Sequence, residues 1–586
     1  MRQRVAIACQ GGGAHAAFAA GVLKEILNKI REERDYEIVA LSGTSGGAIC
    51  AYLAWYGLLG DDEQEATEKA IKLLEDFWTI DNVARLPGPG EIWKETIEQL
   101  ETFRRTGDVA PKLGEVWIAN EFVKWVNQTW ELAGFTTPAT SPYTILEYFR
   151  SLAPLHSPDY WQDQLKNMIA NSVDEARIEK RVKSSNKERV TPPGVGPFLY
   201  IGAANPRTGE FQVFKSHKPA EDHGFVFNRS PSDKISVEAI LASTAIPFLF
   251  EAVHTGKAVY WHGLQEQEDQ RPKVQAGVYW DGLYSSNPPI RELAHLNPDE
   301  IWVIQINPEE IKRNPTGVAD LQDRRNELAG NLSLNQELYF VRSTNELVRQ
   351  FGACEDGKIK LRKRSDPSKK EYGIIKVRRI ELTRELDYLS KLDRNEESIN
   401  RLMNRDSKHE TEPFLKALAA LSPFEKAWEK ALQEWQGSQQ DEDQEIREEQ
   451  KDQEVTDEQE RILDEVMNLF ANEAEIRLVP PEDRSASERA PYECKEDIRG
   501  CVRWCLEGNF NLEQARYYRV TEEIEQLDET EIRWWMLVTT DCFDFPVKGW
   551  AKVAIKEGKI VSFAFYPLDM HTVEKLETAQ RLRKSP

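Results

Sequence analysis

No stretch of this sequence approaches the roughly 18 uninterrupted apolar residues of a membrane-spanning helix, so a helical membrane protein is not expected. The first apolar run, inside Met1-Arg-Gln-Arg-Val-Ala-Ile-Ala-Cys9, is cut off by glycines and is too short for the apolar core of a secretory signal. Cysteine is scarce: seven residues, scattered and odd in number, do not make a disulfide framework and fit the reduced thiols of a cytosol. Cys494, Cys501 and Cys505 invite a metal reading, but core packing is the stronger one. With Ile498 they recur at i, i+4, i+7 and i+11, one helix face on which a free cysteine behaves as a small hydrophobe. Positive charge is also in deficit. Lys and Arg number 76 against 99 Asp and Glu, and the net charge of −23 argues against nucleic acid and against bulk attraction to an anionic membrane. Any contact with a lipid surface then has to be transient and made by a local apolar or basic patch, so the expected location is cytoplasmic or peripheral to a membrane.

What remains is ordinary globular composition, 40% hydrophobic and 30% charged, in a chain of 586 residues. A single core stops growing at about 250–300 residues, so several domains are expected. The first third alternates short apolar runs with amphipathic segments. Val5–Cys9 ends in glycines; a helix follows with Val22, Leu23, Ile26, Leu27 and Ile30 on one stripe. Glu37–Leu41 is a second strand, and Ala48–Leu59 is an apolar, buried helix. Strand, glycine turn and helix, repeated, predict a mostly parallel α/β sheet. Residues 61–190 read as a helical, tryptophan-rich insertion capping it. Strands resume at Phe198–Gly202, Phe211–Phe214, before Asp281 and at Ile301–Ile306, with a helix around Ile235–Ala242. Helices dominate from Leu321 to about residue 420, interrupted by the basic stretch Lys358–Arg379. Its alternating part, Tyr372–Val377, reads as a solvated edge strand, with a phosphate or headgroup contact as the sharper alternative. Three segments result: an α/β domain with its helical insertion over 1–425, an acidic linker over 426–464 and a small α+β domain over 465–586. Its clearest signal is a hairpin with Val553 and Ile555 on one arm, Val561, Phe563 and Phe565 on the other, and Glu557-Gly558 at the turn.

Three local patterns carry chemistry. Gly11-Gly12-Gly13-Ala14 follows a strand and opens a helix, where side-chain-free N–H groups and the helix dipole suit a phosphate or a developing oxyanion. Gly43-Thr44-Ser45-Gly46-Gly47 is a G-x-S-x-G between a strand and an apolar helix, the context of a nucleophile elbow. Trp280-Asp281-Gly282-Leu283 places a carboxylate at a strand end beside glycine. A serine hydroxyl needs a base within about 2.6–3.2 Å, and if Asp281 reaches Ser45 no histidine is required. His15, the only histidine near these motifs, suits a local hydrogen-bonding role better than a third catalytic one. The same glycines also fit a relaxed dinucleotide fingerprint, Gly11-x-Gly13-x-x-Ala16. That reading wants an acidic residue at the end of the second strand, which instead ends Leu41-Ser42-Gly43.

In these motifs the chain resembles the patatin-like phospholipase family, intracellular lipid acyl hydrolases with a Ser-Asp dyad. Further similar segments are Ala242-Ser243-Thr244-Ala245-Ile246-Pro247, Asn326–Asn335 and Leu386–Asp393, so the resemblance spans roughly residues 1–425. Two positions depart from the usual pattern, Ala16 in the glycine loop and Leu283 after Asp281-Gly282. The resemblance implies a three-layer sandwich with a helical cap. It implies Ser45 and Asp281 as the catalytic pair, with oxyanion contacts from Gly11, Gly12, Gly13 and Gly46. It also implies a phospholipid or related lipid substrate and no cofactor or metal; no EF-hand-like loop occurs. A lipase gated by a ligand or partner of the C-terminal domain, and a catalytically silent scaffold, are the competing expectations. Deletion of residues 440–586 and covalent labelling of Ser45 discriminate them. The sequence specifies neither a homo-oligomer nor the ligand.

Overall fold

The computed structural model describes residues 2–78 apart from 34 and 61, 158–178, 197–216, 235–260 apart from 248–249, 273–351 apart from 316–317, 359–361, and 370–440 apart from 387–390 and 392–395. Beyond these it describes 457–478, 492–493, 499, 502–503, 506, 511–524, 529–539, 547–556 and 558–567. Two compact units are present, one formed by 1–343 with 381–408, the other by 344–380 with 409–586. The boundary expected at 425 falls inside a continuous helix, Ser407–Gln440.

The first unit is built on a mixed sheet whose central strands are parallel. Strands β1 (Gln3–Cys9), β2 (Tyr36–Gly43), β3 (Phe198–Ala204), β4 (Phe211–Lys215), β5 (Val253–Tyr260), β6 (Lys273–Asp281) and β7 (Glu300–Gln305) contribute. They run in the order β7-β1-β2-β3-β6-β5, with β4 paired to β3. The β7-β1, β1-β2 and β2-β3 pairs are parallel; β3-β4, β3-β6 and β5-β6 are antiparallel. Strands buried on both faces read as continuous apolar runs, and Val5–Cys9 and Ile301–Ile304 are fully buried or nearly so. Helix α1 (Ala16–Glu33) turns Phe18, Val22, Leu23, Ile26 and Ile30 inward at helical spacing, whereas every residue of α2 (Gly46–Gly57) is buried. Helix α3 (Glu63–Trp78) packs on both. The described parts of the expected insertion are residues 62–78 and 158–178, which hold α3 and the helix Pro158–Ser172. The rest of it lies outside the described residues.

The second unit contains an antiparallel meander of β8 (Asn511–Ile524), β9 (Glu529–Thr539), β10 (Val547–Lys556) and β11 (Lys559–Pro567). Its last turn is the expected hairpin, with Gly558 at φ +74°. The strand Phe470–Leu478 pairs in parallel with β11. The expected strand Tyr372–Val377 is split: a short strand ends at Tyr372 and another begins at Lys376. Between them the Asn345 amide accepts the Ile375 N–H at 3.0 Å and donates to its C=O at 2.9 Å, replacing ladder bonds. The second piece is not solvated. Arg378 is 1% exposed and forks onto Glu425 at 2.7 and 2.5 Å, and Lys376 joins Glu425 and Glu429. These cations are committed to carboxylates of the long helix. Cys494, Cys501 and Cys505 lie outside the described residues.

Candidate active site

Strand β2 delivers the chain to a tight turn at Thr44-Ser45 before α2 begins. A Cβ on Gly43 would fall 2.4 Å from the Gly47 carbonyl oxygen, so only glycine closes this turn. Ser45 sits at φ 55°, ψ −131°, a conformation that costs a side-chain-bearing residue about 1–3 kcal/mol and persists only where the surroundings enforce it. The enforcing bonds are on either side. Thr44 Oγ1 donates to the Ser286 carbonyl at 2.6 Å, and the Ser45 N–H donates to Ser243 Oγ at 3.0 Å. Ser45 itself is 6% exposed.

Asp281 ends β6 and pairs in register with Ala203 of β3. It is fully buried. Its N–H donates to the Ala245 carbonyl at 2.9 Å, and its Oδ1 accepts the Leu283 N–H at 2.8 Å. Burial pushes its carboxyl up to about 7, because a charge without water is disfavoured; the Leu283 N–H and the Ser45 hydroxyl pull the other way. Oδ2 makes no hydrogen bond of ordinary length and angle.

The glycine loop lies against the elbow. A Cβ on Gly11 would sit 2.6 Å from Ser45 Cβ and 2.5 Å from the Thr44 carbonyl oxygen, which is why no side chain stands there. A Cβ on Gly46 would be 2.6 Å from the Gly13 carbonyl oxygen, so the loop and the start of α2 converge. The Gly11 N–H, expected as an oxyanion donor, is instead committed to Asn287 Oδ1 at 2.7 Å. Gly12 precedes the short 3₁₀ turn Gly13–His15, and His15 is buried within it.

Sequence reasoning missed the frame behind this loop. Asn287 donates its N–H to Ser333 Oγ at 2.9 Å. Gln10 accepts the N–H groups of Ile306 and Asn307 at 2.9 and 2.8 Å and donates to Asn331 at 3.0 Å. Glu337 accepts the Arg291 N–H at 2.6 Å, and burial raises its pKa. Asn331, Ser333 and Glu337 belong to the helix Val318–Phe351, where they alternate with buried Leu334 and Leu338. That mixture of buried polar and apolar residues on one helix was the available signal. An open cavity of about 580 Å³ is lined by Phe211, Pro247, Tyr284 and Trp280, the residue before Asp281, and by neither Ser45 nor Asp281. Phe211, Trp280 and Tyr284 are exposed. Among the described residues no helix is long and apolar enough to cross a membrane, and no group of three or more His, Cys, Asp or Glu is placed to hold a metal ion.

The fold and site define an α/β protein with a serine on a strained strand-to-helix turn beside a buried carboxyl. Residues 7–294, which include the Ser45 turn, the glycine loop and Asp281 but neither β7 nor the supporting helix, match the family model described as patatin-like phospholipase. Over this stretch the chain is similar to that family, and the match supports lipid acyl hydrolase activity in general. A search of curated proteins finds no match. Among solved structures, VipD from Legionella pneumophila is similar at 11% identity over 80% of each chain, with a TM-score of 0.21. The orange carotenoid protein of an Anabaena (Nostoc) species, binding canthaxanthin, is 21% identical over 18% of this chain and 30% of its own, with a TM-score of 0.13. A designed protein with a curved β-sheet is 10% identical over 20% of this chain and 81% of its own, with a TM-score of 0.14. At these TM-scores none of the three bears on the fold.

Proposed function

We propose that the first unit cleaves acyl esters of phospholipids or related lipids through a Ser45-Asp281 dyad and an acyl-enzyme. The observation that carries this reading is the fully buried Asp281 with an unpartnered Oδ2, held beside the Ser45 turn, where a Cβ on Gly282 would stand 2.8 Å from Thr44 Cγ2. As Ser45 Oγ bonds to the ester carbonyl carbon, its proton passes to Asp281 and the carbonyl electron pair moves onto oxygen. N–H groups of Gly12, Gly13 and Gly46 hold that oxyanion; one such donor is worth about 2.7–4 kcal/mol in hydrolases. Collapse of the tetrahedral adduct breaks the ester C–O bond, and the departing alcohol takes the proton from Asp281. Water then attacks the acyl-enzyme, again giving its proton to Asp281. The acid leaves with the acyl chain, and Ser45 recovers its hydrogen. A buried base without a histidine suits this scheme because its raised pKa lies near the operating pH.

The apolar cavity lined by Phe211, Trp280 and Tyr284, with these aromatics exposed, offers a patch of the kind that a transient lipid contact requires in a chain of net charge −23. Incubation of the full-length protein with phosphatidylcholine and phosphatidylglycerol vesicles tests the substrate class. The expected products are free fatty acid and lysophospholipid. Hydrolysis of short soluble esters with no release from either vesicle would contradict the lipid assignment.

A further inference from the structure

The C-terminal end of the helix Val237–Thr244 touches both halves of the site. Ser243 is fully buried, and its hydroxyl is used twice: Oγ accepts the Ser45 N–H at 3.0 Å and donates to the Gly202 carbonyl at 2.6 Å. With one proton to give and one to receive in fixed directions, the hydroxyl has no free rotor. Two residues on, the Ala245 carbonyl accepts the Asp281 N–H at 2.9 Å. Within one three-residue segment, Ser243 therefore binds the main chain of Ser45 and Ala245 that of Asp281. Gly202 closes the arrangement. Its carbonyl oxygen lies 2.4 Å from where a Cβ of Gly282 would stand, so the acceptor for Ser243 also abuts the residue after Asp281.

We propose that Ser243 is a positioning residue, and that the segment Ser243–Ala245 is a clamp setting the distance and direction from Ser45 Oγ to Asp281 Oδ2. Ser45 occupies a strained conformation, which needs an external bond to persist. Its N–H would otherwise be a buried donor without a partner. The clamp meets both needs from the same short segment that fixes the base, so displacement of the elbow relative to Asp281 is resisted at both ends. This inference rests on the dyad reading and deepens it.

Ser243→Ala removes the hydroxyl, and Ser243→Cys fills the same space with a weak donor and acceptor. For both, kcat on a p-nitrophenyl ester should fall about 10- to 100-fold, the range that a misplacement near 1 Å produces, with KM unchanged. The acidic limb of the pH profile should move to higher pH, because a loosened Ser45 no longer pulls the Asp281 carboxyl down. A structural role alone would leave that limb in place. Either folded variant retaining the wild-type kcat and limb would overturn the proposal. If the alanine variant does not fold, the cysteine variant decides; failure of both to fold assigns Ser243 to stability and also overturns it. Fluorophosphonate labelling separates the two levels. Unlabelled Ser45 in the wild type defeats the dyad reading itself, whereas a labelled wild type with unaltered Ser243 variants defeats only the clamp.

Discussion

Asp281→Asn should lower ester hydrolysis by about a thousandfold or more and at the same time make the protein more stable at pH 8. The two effects share one cause. In the folded chain burial holds the carboxyl near 7, against an ordinary value of 3.8. Between those values the unfolded chain has released the proton and the folded chain has kept it, so the unfolded state binds fewer protons and stability falls as pH rises. The penalty is complete above about 7. A gap of roughly three pKa units corresponds to an upper bound on the order of 4 kcal/mol. Asparagine never ionises, so the variant escapes this penalty while still accepting the Leu283 N–H. Urea titrations at pH 5 and pH 8 should show the stability difference, variant minus wild type, growing with pH by about 2–4 kcal/mol. A difference independent of pH would show that Asp281 is not a buried, perturbed acid. Wild-type activity should rise with pH through about 7, as the base loses its proton.

Ser45→Ala should reduce turnover of both vesicles and short esters by about four to six orders of magnitude, with no loss of structure. Alanine keeps the Cβ that packs on Gly11 and the N–H that binds Ser243, and it leaves the strained turn as it is. Ser45→Gly should be equally inactive but more stable than Ser45→Ala by about 1 kcal/mol, since glycine tolerates positive φ. Initial rates with purified protein and urea midpoints measure both. Substantial residual hydrolysis by either variant would mean that another group attacks the ester.

The paired motifs were legible because each is a local backbone solution. Gly43 and the glycines around Ser45 write their own turn, and Asp281-Gly282 marks a strand end. The partners that hold them were not legible. Ser243 meets Ser45 across 198 positions of sequence and Asn287 meets Gly11 across 276, and nothing in either local pattern announces a bond. The commitment of the Gly11 N–H to Asn287 was invisible for the same reason. Strand signals behaved alike. Val5–Cys9 and the hairpin around Gly558 carry their own periodicity, and both form. Phe470–Leu478 and Asn511–Ile524 are rich in charge and were not recognised; they are strands because neighbouring strands pair with them, a context that local propensity does not carry. The break at Gly373–Ile375 likewise depends on Asn345, some thirty residues away.

The most direct measurement is the site of covalent attachment of a fluorophosphonate to the full-length protein, located by peptide mass spectrometry, with its rate followed from pH 5 to pH 9. The dyad predicts a single adduct on Ser45, forming faster as pH rises through about 7 and much slower in Asp281→Asn. An enzyme that hydrolyses lipid yet carries no adduct on Ser45, or labels there equally fast without Asp281, would contradict it.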